Sequence, residues 1–238
     1  CKEGCPIHQD IPAYIQLVKE EKYEEALQVI TEKNPLPFIT GTICAHPCMN
    51  KCTRNFYEES VYIRGMKRIA AENGYDALLS RLTALPVTKR GKAAVIGGGP
   101  AGMAAAYFLR RAGMDTTLFE KTGALGGVVR HVIPEFRISG SAIDKDAALL
   151  EKTGVNIYLN SEITDLDMLK NAGYTISSEQ WISRYAEIYD AAQEANTDSN
   201  GVARVDEIEI SDEELEAAEA TDMVPEDGEA DQDAAGQE

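Results

Sequence analysis

All five cysteines lie within the first 52 residues, as Cys1-x3-Cys5-Pro6 and Cys44-x3-Cys48-x3-Cys52. If these thiols act together, the chain must fold so that two loops about forty residues apart meet. An odd number of cysteines in short-spaced groups is a poor disulfide framework and a reasonable metal-ligand set for a reducing compartment, so a cytoplasmic protein is expected. Three chemistries compete. Zinc prefers paired Cys-x2-Cys knuckles, which the x3 spacings fit poorly. Iron–sulfur cubanes take thiolates from short loops, and a Cys-Pro step resembles the end of a ferredoxin run. Free cysteine is also a common core residue. Clusters are the expectation, with zinc and buried thiols as alternatives.

The sequence between the two groups agrees with that expectation. Ile11, Tyr14, Ile15 and Val18, then Tyr23, Ala26, Leu27 and Ile30, recur at helical spacing with charges between them. Asn34-Pro35-Leu36-Pro37 breaks the second helix and turns the chain back. A further helix from about Ile63 to Leu82 carries Ile63, Met66, Ile69, Ala70 and Leu78 beneath the cysteines. Ligation and folding are coupled in small metal domains, so such a region needs only a modest core.

A second pattern follows the polar linker Pro86-Val-Thr-Lys-Arg-Gly91. Lys92–Ile96 reads as a buried parallel strand, Gly97-Gly-Gly99-Pro-Ala-Gly102 as a turn, Met103–Arg111 as a helix and Thr116–Glu120 as a second strand ending in an acid. This is the dinucleotide fingerprint in its required setting. Gly97 allows the turn, Gly99 lets backbone approach a pyrophosphate, and Gly102 permits close helix–strand packing. The helix N-terminus offers unpaired N–H groups to phosphate. Glu120 is placed to accept from ribose hydroxyls, which suits NAD or the adenosine of FAD and disfavours the 2′-phosphate of NADP.

The residues here carry a family resemblance. Val95-Ile-Gly-Gly-Gly-Pro-Ala-Gly-Met-Ala-Ala-Ala106, Phe119-Glu-Lys121, Leu125-Gly-Gly127 and Ile133-Pro-Glu-Phe-Arg137 resemble the FAD-binding part of the glutamate synthase small subunit family. That family includes the N-terminal region of dihydropyrimidine dehydrogenase and proteins named as candidate selenate reductase subunits, which Gly126–Arg137 resembles most. Gly4-Cys-Pro6, Asn34-Pro-Leu-Pro37, Gly41-Thr-Ile-Cys44, His46-Pro-Cys48 and Val61-Tyr-Ile-Arg64 are similar to its two-cluster domain.

The resemblance, from residue 1 to about Tyr174, implies an electron-transfer flavin and iron–sulfur oxidoreductase. Cys5, Cys44 and Cys48 would ligate one [4Fe-4S] cluster, and Cys1 and Cys52 would be two ligands of another. Gly97, Gly99, Ala101 and Gly102 would line the FAD pyrophosphate and Glu120 the ribose. Gly127, Val128 and Arg137 would lie along the cofactor toward its flavin. NAD(P)H would reduce the FAD, which passes single electrons through the clusters to a partner redox subunit. No residue is assigned as a proton-transfer catalyst.

Three departures from the family are visible. Its Cys-x2-Cys pair upstream of Cys1 has no counterpart here. Its non-cysteine fourth ligand, a Gln or Glu, is matched by Lys67. After Tyr174 the family's returning strand and its NAD(P)H domain are not recognisable, which leads to the expectation of a truncated, fused or inactive form.

Residues 175–238 hold 20 acidic and 2 basic residues, so the overall charge of −17 belongs to this tail and the preceding residues are near neutral. Thr175-Ile-Ser-Ser-Glu-Gln-Trp181 reads as a capped helix start, with Trp181, Tyr185, Ile188 and Tyr189 on one face. Asn196–Glu207 matches an EF-hand loop with Asn in first place, so calcium or a basic partner is the tail's candidate ligand, against a plain solvated turn. Ser211–Glu214 is a capping box, and Val224–Glu238 has a disordered composition. Neither nucleic-acid binding nor a membrane span is expected.

Among single residues, His46 is expected to bond backbone in preference to metal, and His8 and His131 have no assigned partner. Tyr107, Phe108 and Leu109 are assigned to helix–sheet packing. Arg130 and Arg137 are divided between flavin or phosphate contact and solvation. The expected architecture is an α-helical iron–sulfur domain (1–88), a partial α/β Rossmann-type FAD-binding domain (89–174), and an acidic helical and disordered tail (175–238). The competing class is a non-enzymatic zinc- or calcium-binding interaction module.

Overall fold

Helical spacing produces the expected pair α1 (Ile11–Lys19) and α2 (Tyr23–Thr31), with Ile11, Tyr14, Val18, Ala26, Leu27 and Ile30 buried. Asp10 caps α1 by accepting the Ala13 N–H at 3.3 Å. Helices of nine residues do not persist alone in water. Both are held by the long α5 (Ile63–Arg81), and Ile11, Tyr14, Ile30, Ile63, Ala70, Cys5 and Cys48 share one core. The structure, a computed structural model, describes residues 1–175. The tail's helix from Trp181, its EF-hand-like loop and its capping box lie outside the described residues.

The segment expected to be only a break behaves differently. Pro37 takes the first turn of a helix, α3 (Pro37–Ile43), because proline's missing N–H costs nothing there. A short α4 (Pro47–Asn50) and a 3-10 turn over Thr53–Phe56 follow. Tyr75 meets Phe38 edge to face, with ring centroids 5.3 Å apart, tying α5 to α3.

The second half is a parallel sheet with helical crossovers: β1 (Lys92–Ile96), α6 (Pro100–Arg111), β2 (Asp115–Phe119), α7 (Val128–His131), α8 (Gly140–Lys152), β3 (Asn156–Tyr158), α9 (Leu166–Asn171) and β4 (Tyr174–Thr175). The strand order is β3-β2-β1-β4, with Val95 opposite Leu118 and Leu118 opposite Ile157. β4 runs parallel to β1, placing Tyr174 opposite Lys92 and Thr175 opposite Ala93. β4 occupies the last two described residues, and the returning strand that the family would carry after Tyr174 lies outside them.

Packing on α6 also corrects the expectation. Its buried residues are Met103, Ala106 and Arg110; Tyr107 packs half-buried against the same core as expected and Leu109 is half-buried, whereas Phe108 is exposed and does not belong to that packing. Arg110 is buried because its guanidinium donates to the carbonyls of Leu85 at 2.6 Å and Thr153 at 3.3 Å. The linker is strapped down at a second point, where Thr88 and Lys89 donate to the Gly113 carbonyl at 2.9 and 3.0 Å.

The boundary expected near residue 88 does not separate the packing. Leu36 and Ile39 from the cysteine-bearing half share a core with Met103, Leu118, Ile143 and Leu150. At its edge the carboxylate of Asp146, on α8 and fully buried, accepts the N–H of Phe38 at 3.0 Å and of Ile39 at 2.8 Å. Two of α3's otherwise unpaired N–H groups are satisfied from 108 and 107 residues away.

Burial pushes the Asp146 carboxyl up from 3.8 to about 7, against the two N–H bonds that pull it down. Between those values the folded chain keeps a proton that the unfolded chain has released, so stability falls as pH rises from 3.8 to about 7 and levels above. We expect unfolding titrations to show that slope in the wild type and to lose it in Asp146→Asn. The variant should also be about 1–3 kcal/mol less stable, because its amide can accept only one of the two N–H groups.

Candidate functional site

The cysteine loops meet. Cys5 ends a turn in which its own N–H bonds the Lys2 carbonyl at 3.1 Å, and Cys44 and Cys48 flank the start of α4. The thiols of Cys5, Cys44 and Cys48 are electrostatic neighbours of one another, of the Tyr14 hydroxyl and of the Lys67 amine. Burial, followed by the other two thiols, pushes Cys48 up, while Lys67 pulls it down. Burial likewise holds the Lys67 ammonium below its usual range, against the three thiols that raise it.

Cys52 lies apart from these three, near the chain's α-amino group. The Cys52 thiol lies below its ordinary value through hydrogen bonds from backbone N–H groups, that of Val61 first and that of Arg54 next, and through the nearby α-amino group of Cys1. The structure thus brings Cys5, Cys44 and Cys48 together, and sets the α-amino group of Cys1 near the Cys52 thiol.

Two buried polar atoms near the first group have no partner, the hydroxyl of Tyr14 and Nδ1 of His46. Tyr14 is fully buried, and an unpaired buried hydroxyl costs about 1–3 kcal/mol. The backbone N–H of His46 donates to the Cys44 sulfur at 3.3 Å. Three thiols beside the unpaired Tyr14 hydroxyl and the Lys67 ammonium fit the sulfide and thiolate sulfurs of an iron–sulfur cluster.

A single zinc fits less well. Tetrahedral ligation with bonds of about 2.3 Å needs sulfurs about 3.8 Å apart. Among the described residues no three His, Cys, Asp or Glu side chains form such a group. A cubane instead distributes its thiolates over separate irons.

The glycine turn is built as its spacing requires. Gly97 has φ +100°, and its N–H bonds the Phe119 carbonyl at 2.8 Å. Gly99 caps α6, Pro100 opens it and exposed Ala101 follows. A Cβ on Gly102 would stand 1.9 Å from the Gly97 carbonyl oxygen, so a side chain there would force helix and turn apart. Gly126 donates to the Gly98 carbonyl at 2.8 Å, and Gly127, at φ +48°, lies so close that a Cβ would be 2.9 Å from the Gly99 Cα. Val128, 63% exposed, therefore stands beside the turn.

Glu120 lies just past β2 and is buried. It accepts the Gly98 N–H at 2.6 Å on one oxygen, and the Thr122 N–H and hydroxyl at 2.7 and 2.8 Å on the other. Burial pushes its carboxyl up, but these donors outweigh burial and hold it below the usual carboxylate range. Thr122 and the Gly98 N–H are site features that spacing did not reveal.

The arginines divide. Arg130 donates to the Leu125 carbonyl at 2.5 Å and pairs with Asp144, which fixes the Gly126-Gly127 loop against α8. Arg137 is exposed in a groove with Phe38, Thr42, Arg68, Phe136 and Lys145. His8 and His131 are exposed at the surface.

Residues 1–77 match the family model of dihydropyrimidine dehydrogenase domain II, 4Fe-4S cluster, and residues 95–161 match the NAD(P)-binding Rossmann-like domain. The chain is 44% identical over 176 residues to YgfK of Escherichia coli K12, named as a candidate oxidoreductase, covering 73% of this chain and 17% of that protein. It is 34% identical over 165 residues to the NADPH-Fe(3+) oxidoreductase subunit beta of Geobacter sulfurreducens, covering 68% and 25%. With the glutamate synthase (NADPH) small chain of Bacillus subtilis it shares 32% identity over 161 residues, covering 67% and 32%. The chain thus spans at most about a third of these relatives.

The two glycines of the turn should respond differently to a methyl group. Gly102→Ala is expected to lower stability by about 1–3 kcal/mol in denaturant titrations, since backbone must move to admit it. Gly99→Ala meets nothing nearer than the Gly127 Cα at 3.9 Å and should leave stability within about 0.5 kcal/mol. If Gly99 faces a pyrophosphate, the same change should still lower flavin retention after gel filtration at least tenfold.

Proposed function

Over residues 1 to about 174 the chain belongs to the glutamate synthase small subunit and dihydropyrimidine dehydrogenase N-terminal family, and from that premise we propose that it carries electrons between FAD and [4Fe-4S] clusters as part of an NAD(P)H-linked oxidoreductase. The observation that carries this reading is the convergence of Cys5, Cys44 and Cys48 around unpaired donors, in the same packed unit as a complete glycine turn. When bound, FAD converts two-electron hydride chemistry into single-electron steps.

The chain's own residues hold and insulate. Gly97, Gly99, Ala101 and Gly102 present backbone to a pyrophosphate at the N-terminus of α6, where the helix dipole favours negative charge. Glu120 fixes the turn through Gly98, and its carboxylate would meet the ribose. Gly127, Val128 and Arg137 line the path toward the flavin. Cys5, Cys44 and Cys48 hold one cluster, and Cys1 and Cys52 contribute to the other.

The names of relatives as a "subunit beta" and a "small chain" support a partner redox subunit as the electron acceptor. Among the described residues no helix is long and apolar enough to cross a membrane.

Anaerobic incubation of the 238-residue chain with ferrous iron, sulfide and FAD tests this reading. Broad brown absorption with superimposed flavin bands is expected, and Cys44→Ser should lose at least half of the bound iron while keeping the flavin. A colourless chain that takes up stoichiometric zinc and no flavin would instead establish the interaction-module alternative.

A further inference from the structure

Beside the thiols of Cys5, Cys44 and Cys48 lies a fourth polar group of another kind. Lys67 lies on the buried face of α5, in line with Ile63 and Ala70, and is 6% exposed. Its electrostatic neighbours are those three thiols, and no carboxylate pairs with it within the described residues. A lysine is buried only where something compensates its desolvation.

The Tyr14 hydroxyl, fully buried and unpartnered, faces the same thiols. Both groups donate hydrogen bonds. An ammonium has no lone pair for iron, and a phenol is a far weaker ligand than a thiolate.

Resting on the cluster assignment above, we infer that Cys5, Cys44 and Cys48 hold a four-iron cluster by three thiolates only, and that its fourth iron carries an exchangeable water or hydroxide held by Lys67 and Tyr14. Lys67 is then a positioning residue for a small oxygen ligand. The site is an open iron position enclosed by protein, able to bind a small anionic or neutral donor. His46, whose backbone N–H bonds the Cys44 sulfur and whose buried Nδ1 has no partner, is the competing ligand that the test separates.

The open position has a distinctive redox chemistry. Under a mild one-electron oxidant such as ferricyanide, the four-iron core gives up one electron and releases one ferrous ion, leaving an oxidised three-iron core on the three thiolates. The test uses the full chain carrying Cys52→Ser, so that the second cysteine group does not contribute, reconstituted with ferrous iron and sulfide and followed by electron paramagnetic resonance and iron analysis.

With Lys67 in place, ferricyanide should produce the three-iron signal with loss of one iron in four, reversed by ferrous iron and reductant. His46→Ala should behave the same way, and Lys67→Met, which removes the ammonium that holds the oxygen ligand, should still lose one iron in four but at least threefold faster. Lys67→Cys supplies a fourth thiolate and should reduce the signal at least tenfold while the cubane absorption persists. A parent protein that keeps all four irons and gives no signal would overturn the inference while leaving the cluster assignment intact. Release confined to His46→Ala would overturn it as well, by identifying His46 as the ligand. Failure of every form to take up iron and sulfide would remove the cluster assignment and the inference together.

Discussion

The carboxylate of Asp146 holds the N-terminus of α3, and both halves of the molecule depend on that contact. It is a buried acid on a helix of the nucleotide-binding half, bonded to backbone N–H groups of the cysteine-bearing half at 2.8 and 3.0 Å. α3 ends at Ile43, and Cys44 is the next residue. The position of the first thiol of the triplet is therefore set, through one seven-residue helix, by a side chain more than a hundred residues away. Leu36 and Ile39 flank the bond and close the apolar core around it, and that dry setting is also what raises the Asp146 carboxyl.

At the nucleotide end, backbone meets backbone with almost nothing between. The Gly97 turn, the start of α6 and the Gly126-Gly127 loop touch through carbonyls, N–H groups and Cα atoms. Glu120 completes the arrangement by bonding the Gly98 N–H, so the acid at the end of β2 shapes the turn itself. At the cysteine end the opposite principle holds. The Tyr14 hydroxyl and Nδ1 of His46 are buried without partners there, and sulfur acceptors in that space would offset the desolvation of the hydroxyl.

Much of this was legible in the residues. Apolar spacing located α1, α2 and α5, because each presents one buried face at helical period. The glycine turn with its flanking strand, helix and acid located the nucleotide half, and the spacing of the cysteines named the metal-binding candidates. What escaped detection depends on partners distant in sequence. α3 has two prolines at its start and reads as a break until Asp146 is seen to cap it. Arg110 looks like a solvated helix charge until the carbonyls of Leu85 and Thr153 surround it. Lys67 stands out in a family comparison, but only packing shows that it is enclosed with three thiols, and the unpaired hydroxyl of Tyr14 leaves no trace in a helical pattern. The short β4 went unseen because two residues carry no periodicity.

The shared core has a bearing on how such a protein can be inherited. Two family models meet in this chain, with an apparent seam between residues 77 and 95. A recombination event at that seam would separate Leu36, Ile39 and the two N–H donors of α3 from Met103, Ile143 and Asp146, leaving each descendant with an open apolar face. A productive exchange would have to carry both sides of that core across together.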